Sequence, residues 1–208
     1  MAVVRQMDQP QAGPIGAGLR RRRSRCLWLP LALWVAFSGA MAAGAESETP
    51  TVRQVQAAFL FNFTKFATWP DDAFQHSGDS LIIGVLGEDP FIAVLKEVVR
   101  DKTILGKKLV VKRFVSIQDA VHSHVLFLSS SEESNLPHIL KVLDKITVLT
   151  VSDMDEFAER GGMIAFTVED QKVRFNVNVE AVERAGLKMG SQLLKLARIV
   201  SYKPQAGN

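Results

Sequence analysis

The sequence has one cysteine, Cys26, so no disulfide can form within the chain. No glycine cluster has the spacing of a dinucleotide- or triphosphate-binding loop. Glu88 and Asp89 would also repel an anion at the helix start that follows them, so a nucleotide phosphate is disfavoured. There is no G-x-S-x-G elbow and no cysteine beyond position 26, and nucleophilic catalysis therefore lacks its parts. The carboxylate pairs Asp71-Asp72 and Glu132-Glu133 sit in polar stretches where solvated acids are the default. No catalytic residue, cofactor or enzymatic activity is expected. Long apolar runs are also scarce, with a single exception near the N-terminus.

That exception follows six arginines. The formal net charge of +3 comes from 25 basic and 22 acidic residues. Residues 1–45 hold Arg5, Arg20, Arg21, Arg22, Arg23 and Arg25 against Asp8 alone. Everything after residue 45 is slightly acidic, which removes the global electrostatic case for nucleic acid. Arg20 to Arg25 precede an uncharged stretch over residues 27–45, which ends in Ala43-Gly44-Ala45. A cationic start, an apolar core and a small-residue cleavage pattern read as an export signal over 1–45. An uncleaved anchor is the alternative. Cys26 lies before the apolar core and leaves with the signal, so it says nothing about redox compartment. The arginine run lacks the usual order of a twin-arginine signal, and ordinary secretion to the periplasm is expected.

Residues 46–51 are a polar lead, 52–200 one domain and 201–208 a tail. From 52 to 69 the chain lacks glycine and proline, and Val52, Val55, Phe59, Phe63 and Phe66 recur at helical spacing. After a loop over 70–80, strands and helices alternate. Strands are expected over 81–86, 109–115, 121–128 and 146–151, and helices over 89–100, 136–145 and 155–160. Asp89 serves as a cap before Pro90. A hairpin is read over 163–179 with a three- to four-residue connection, its Val173, Phe175, Val177 and Val179 facing inward. Asn178 caps a short helix ending at Gly186, and a last helix spans 189–200 with Leu193, Leu196, Ala197 and Val200 inward. Four β-then-α units predict one α/β domain, a mostly parallel sheet with helices on both faces and the hairpin at one edge.

In such sheets ligands sit beyond the carboxyl ends of the strands. Gly87, Ser129, Ser130 and Ser152 form the candidate ligand rim. His122 and His124 are read as sharing one face of the third strand, but two histidines make no metal site, and none is expected. Trp69, Arg174, Asn176, Arg184 and Lys188 are the candidate partner surface, with a solvated face as the plain alternative.

Three stretches carry a resemblance: AAFLFNFTKFATWP at 57–70, LIIGVLGEDPF at 81–91, and GGMIAFTVEDQKVRFNVNVEAVERAGLKMGSQLLKLARIV at 161–200. Together they resemble the YfiR family of exported bacterial proteins, in matching order over residues 52–200. The resemblance implies a periplasmic regulator that binds the periplasmic part of an inner-membrane diguanylate cyclase, or another sensor. It would hold the cyclase inactive and so lower cyclic-di-GMP and biofilm formation. It also implies an outer-membrane lipoprotein as a second partner in some systems, and a homodimer. Relatives with paired cysteines differ from this chain, which has none after Cys26, so disulfide control is not carried over. A periplasmic small-ligand-binding protein using the strand-end rim is the alternative reading.

Overall fold

A reciprocal cap starts the first helix, α1 (Val52–Phe66). The Thr51 hydroxyl accepts from the Gln54 N–H at 3.3 Å, and Gln54 Oε1 accepts from the Thr51 N–H at 2.7 Å. The computed structural model describes residues 50–75 and 78–204. The export signal at 1–45, the lead at 46–49, His76 and the end of the tail lie outside the described residues.

The chain continues through β1 (Ala67–Thr68), β2 (Ser80–Leu86), α2 (Phe91–Val99), β3 (Thr103–Ile104) and β4 (Lys107–Phe114). Next come α3 (Ile117–Ala120), β5 (Val125–Leu128), a 3-10 segment over Ser130–Asn135, α4 (Leu136–Val142) and β6 (Leu149–Ser152). The last elements are β7 (Ile164–Glu169), β8 (Lys172–Asn178), α5 (Val179–Arg184), β9 (Lys188–Met189), α6 (Ser191–Leu194) and β10 (Arg198–Val200).

Eight strands form the main sheet in the order β10-β8-β7-β6-β5-β2-β4-β3. From β4 to β7 every pairing is parallel, whereas β3 on β4 and β8 on β7 are antiparallel. This is the expected single α/β domain with a mostly parallel sheet. The central run β4-β2-β5-β6-β7 has the 2-1-3-4-5 order of one type of doubly wound sheet. Leu60 and Phe63 of α1 and Phe91 and Leu95 of α2 pack with Ile83, Phe127 and Val151 in one core. On the opposite face Ile117, Ile139 and Phe157 pack with Leu126 and Leu128. β1 and β9 pair separately as a small antiparallel ribbon.

Several expectations give way here. The buried stripe of α1 is Gln56, Ala57, Leu60, Phe63 and Thr64, while Val52 is exposed and Phe59 and Phe66 are only partly buried. The small Ala57 lets the helix lie close on the sheet, and Thr64 offsets its own burial by donating to the Leu60 carbonyl at 2.9 Å. Residues 155–160 are consecutive turns, not a helix.

The expected helix over 189–200 is a single turn followed by strand β10, and Leu196 points to solvent. β8 would otherwise be an open edge, and the β-branched Ile199 and Val200 supply the strand that pairs with it. The hairpin therefore lies one strand in from the edge. Its connection is two residues, Asp170 and Gln171, both in the left-handed region that twists to match the strands. Asn178 caps α5 as expected, its Oδ1 accepting from Ala181 N–H at 3.0 Å. It is nevertheless fully buried, against the polar-face reading of the hairpin.

Candidate functional site

The ligand position of a doubly wound sheet is the crevice where neighbouring strands send their helices to opposite faces. Here that point lies between the ends of β2 and β5, since α2 packs on one face and α4 on the other. The crevice is filled by the chain itself. Ser129 Oγ donates to the Glu88 carbonyl at 3.0 Å and accepts from Ser131 N–H at 3.3 Å. Ser131 Oγ lies 3.2 Å from Ser129 Oγ and accepts from the Glu88 N–H at 3.1 Å. Gly87 turns at φ +90°, and a Cβ there would sit 2.4 Å from Ser131 Oγ, so glycine is required twice over.

The four rim residues are thus placed near one another along the strand ends, but not with free hydroxyls. Ser129 is buried and committed to backbone. Ser152 is fully buried, donating to the Leu128 carbonyl at 2.7 Å and accepting from Met154 N–H at 3.1 Å. Ser130 is exposed on the following 3-10 segment.

Beside this closed crevice lies an arrangement that the residue patterns do not single out. Arg53, in the first turn of α1, donates to Asp153 Oδ2 at 2.7 Å and lies 3.5 Å from Asp89 Oδ2. Its guanidinium also stands 5.5 Å from the Phe91 ring centroid. Asp89 faces both ways, because its Oδ1 accepts from Phe91 N–H at 2.8 Å at the start of α2. Arg53 is the sole charge in α1 before Lys65, which was the one sequence signal available. A cleft of about 530 Å³ opens next to it, between α1, the end of β6, and strands β7 and β8.

His124 forms a second buried polar site. Its Nδ1 accepts from the Ile82 N–H at 3.0 Å, and its ring stacks on Phe74 at 5.0 Å. Burial holds the imidazole below its ordinary value of 6.5. His122 is exposed, and β5 begins only at Val125, because residues 120–123 turn with Ser123 N–H donating to the Ala120 carbonyl at 3.0 Å. The two histidines therefore do not share a strand face. Among the described residues no group of three or more histidines, cysteines or acids is placed to hold a metal ion.

The candidate partner residues fall into three places. Trp69 is buried, its indole N–H donating to the Thr64 carbonyl at 3.4 Å, while Lys188 is exposed on the β1–β9 ribbon. Arg174 and Asn176 share a face of β8, and Asn176 donates to Glu159 Oε1 at 3.3 Å. Arg184 lies apart, 3.9 Å from Asp144, along a groove lined also by Leu140 and Tyr202. Among the described residues no helix is long and apolar enough to cross a membrane.

The strand-end crevice of this doubly wound domain is thus filled by its own Ser129 and Ser131. The YfiR/HmsC-like family model matches residues 53–198, and the chain belongs to that family. The family is one of periplasmic, non-catalytic regulators, and membership supports a general role in cyclic-di-GMP signalling. A comparison with the curated proteins finds no match. The crystal structure of a conserved domain protein from Vibrio cholerae O1 biovar El Tor is similar at 12% identity with a TM-score of 0.50. The match covers 72% of this chain and 60% of that one, so this chain spans less than two thirds of that protein. At that identity the likeness shows the fold alone.

Proposed function

We propose that this protein is an exported repressor that binds the periplasmic part of an inner-membrane diguanylate cyclase and holds it inactive. The observation that carries the reading is the family match over nearly the whole described domain, residues 53–198. Repression is a linkage: the protein must bind the inactive receptor state more tightly than the active one. An outer-membrane lipoprotein that sequesters the repressor, and a second copy of the chain, are further partners on this reading.

The surface offers a place for such contacts. Leu196, Ile199 and Tyr202 are 67%, 52% and 50% exposed at and beside the outer strand β10. An exposed apolar strip on an unpaired sheet edge is a recognised docking feature. The test is genetic. Deleting the gene should raise cellular cyclic-di-GMP, and restoring it should return the level to that of the parent. An unchanged level on deletion, in a strain expressing its inner-membrane diguanylate cyclases, would sink the reading.

A further inference from the structure

The outer strand β10 carries a charge asymmetry as well as exposed apolar groups. Residues 184–208 hold Arg184, Lys188, Lys195, Arg198 and Lys203 and no acid, although the chain after residue 45 is slightly acidic. In the sheet order β10 is the terminal strand, so its outer side has no strand partner among the described residues. Edges that only repel other chains carry charge without large exposed apolar groups. Here Leu196, Ile199 and Tyr202 stand exposed among the cations.

The register sorts these side chains onto two faces. Ile199 pairs with Val177, which lies in the core under α1 and α2, so Ile199 faces that side. Arg198 and Val200 face the other, where Val200 packs against the second core. Tyr202 lies on this second side too, because a Cβ at Gly161 would stand 3.7 Å both from its ring and from Leu140 of α4. A groove of about 440 Å³ opens there, lined by Lys141, Arg160, Arg184 and Tyr202, with Asp144 as the acid among them. Arg160 and Arg184 have Glu133 and Asp144 as partners, and Asn176, opposite Arg198, takes up Glu159 at 3.3 Å. Lys141, Lys195, Arg198 and Lys203 have no ion pair among the described residues.

An occupant must meet Ile199 and Tyr202 on opposite faces of the sheet, pair with the outer backbone of β10, and bring negative charge to one face. The hydrocarbon of a lipid surface satisfies no backbone group. A second copy added through its own β10 would set cations against cations. An extended segment with acidic and apolar side chains in alternation meets every requirement, since strand side chains alternate in direction. We propose that β10 receives such a segment of the partner as an added edge strand, with its acids toward Arg198 and the groove and its apolar side chains toward Ile199. This deepens the repressor reading, on which it rests only for the existence of a partner.

The test is calorimetric titration of the purified full chain with a capped heptapeptide of alternating glutamate and valine, followed by amide exchange of β10 in the complex. Saturable binding is expected, with exchange across residues 198–200 slowed about tenfold or more. The same peptide with lysine for glutamate should bind about tenfold more weakly or worse. A version with proline for valine cannot form a ladder and should not bind. Arg198→Glu, at an exposed position, should leave the urea midpoint unchanged yet narrow the difference between the glutamate and lysine peptides. Lys195→Glu should shift the preference the same way if Arg198→Glu does not fold. No saturable binding of the glutamate peptide to folded wild type would overturn the proposal, as would equal binding of the proline peptide or unslowed exchange at β10. Binding to phosphatidylglycerol vesicles in place of the peptide would assign the edge to a membrane and overturn it too. A failed peptide titration, beside cyclic-di-GMP that rises on deletion, removes this proposal and keeps the repressor; the opposite pair of results does the reverse.

Discussion

Arg53 donates to Asp153 Oδ2 at 2.7 Å across 100 positions of sequence, tying the first turn of α1 to the end of β6. The same guanidinium reaches Asp89 at the start of α2, so one side chain connects the first turn of α1 to the segments that follow both β2 and β6. Asp89 is nearly buried, its side chain 4% exposed, and Arg53 is the cation facing it. Arg53→Met should cost about 1–3 kcal/mol, most of it from leaving Asp89 and Asp153 without their charged donor. Arg53→Lys should recover only part of that, because an ammonium lacks the planar fork that serves two carboxylates. Urea midpoints of the three proteins check the order. Equal midpoints would show that the pairs contribute nothing.

The serine plug makes a separate prediction. Ser129→Ala removes a buried donor from the Glu88 carbonyl and an acceptor from Ser131, and should cost about 1–3 kcal/mol. Gly87→Ala should be at least as damaging, through positive φ and the collision with Ser131 Oγ. Adding Ser131→Gly should restore only the part due to collision. A double-mutant cycle measures that part, and full additivity would mean that Ser131 is not what Gly87 avoids.

His124 sets a pH dependence. Its folded value is depressed by burial, and its Nδ1 must stay unprotonated to accept from Ile82. The unfolded chain therefore binds the proton more readily than the native state. The contribution to stability is complete above about pH 6.5, the unfolded value, and is lost as pH falls below it through the depressed folded value. Chemical denaturation at pH 7.5 and pH 5 should show a fall in wild type that is reduced in His124→Gln. An equal fall in both proteins would assign the effect to other groups.

The outer strand gives a functional prediction. Ile199→Lys and Leu196→Lys place charge on exposed positions, so the unfolding free energy from urea denaturation should stay within about 0.5 kcal/mol of wild type. Partner affinity should fall tenfold or more, and cyclic-di-GMP should rise toward the level of a deletion strain. Folded variants that repress normally would move the docking surface elsewhere, with Arg174 on the open face of β8 the next residue to change.

Much of the architecture was legible because local chemistry fixed it. Thr51 with Gln54, Asp89 before Pro90, and Asn178 before α5 each satisfy helix-end donors from neighbours in sequence, so no distant information was needed. The continuous apolar run in β2 announced a strand buried on both faces. The last helix was misread because Leu193, Leu196, Ala197 and Val200 have helical spacing, and spacing cannot report that β8 needs a partner. The rim serines follow strand ends as expected, yet Ser129 and Ser152 spend their hydroxyls on the Glu88 and Leu128 carbonyls, 41 and 24 residues away. The partners of Arg53 could not be read for the same reason, since the members of that cluster stand at 53, 89 and 153.

The lack of a second cysteine and of nucleotide-binding glycines, the arginine-led apolar segment, and the alternation of strand and helix were decided by the sequence itself. Each depends on composition or on contacts within a few residues. Which strand closes the edge, which polar groups meet beside Arg53, and which hydroxyls remain unpartnered were decided only by the tertiary structure. Those outcomes depend on satisfying buried donors and acceptors, and on placing charges, between segments that meet only once the sheet has assembled.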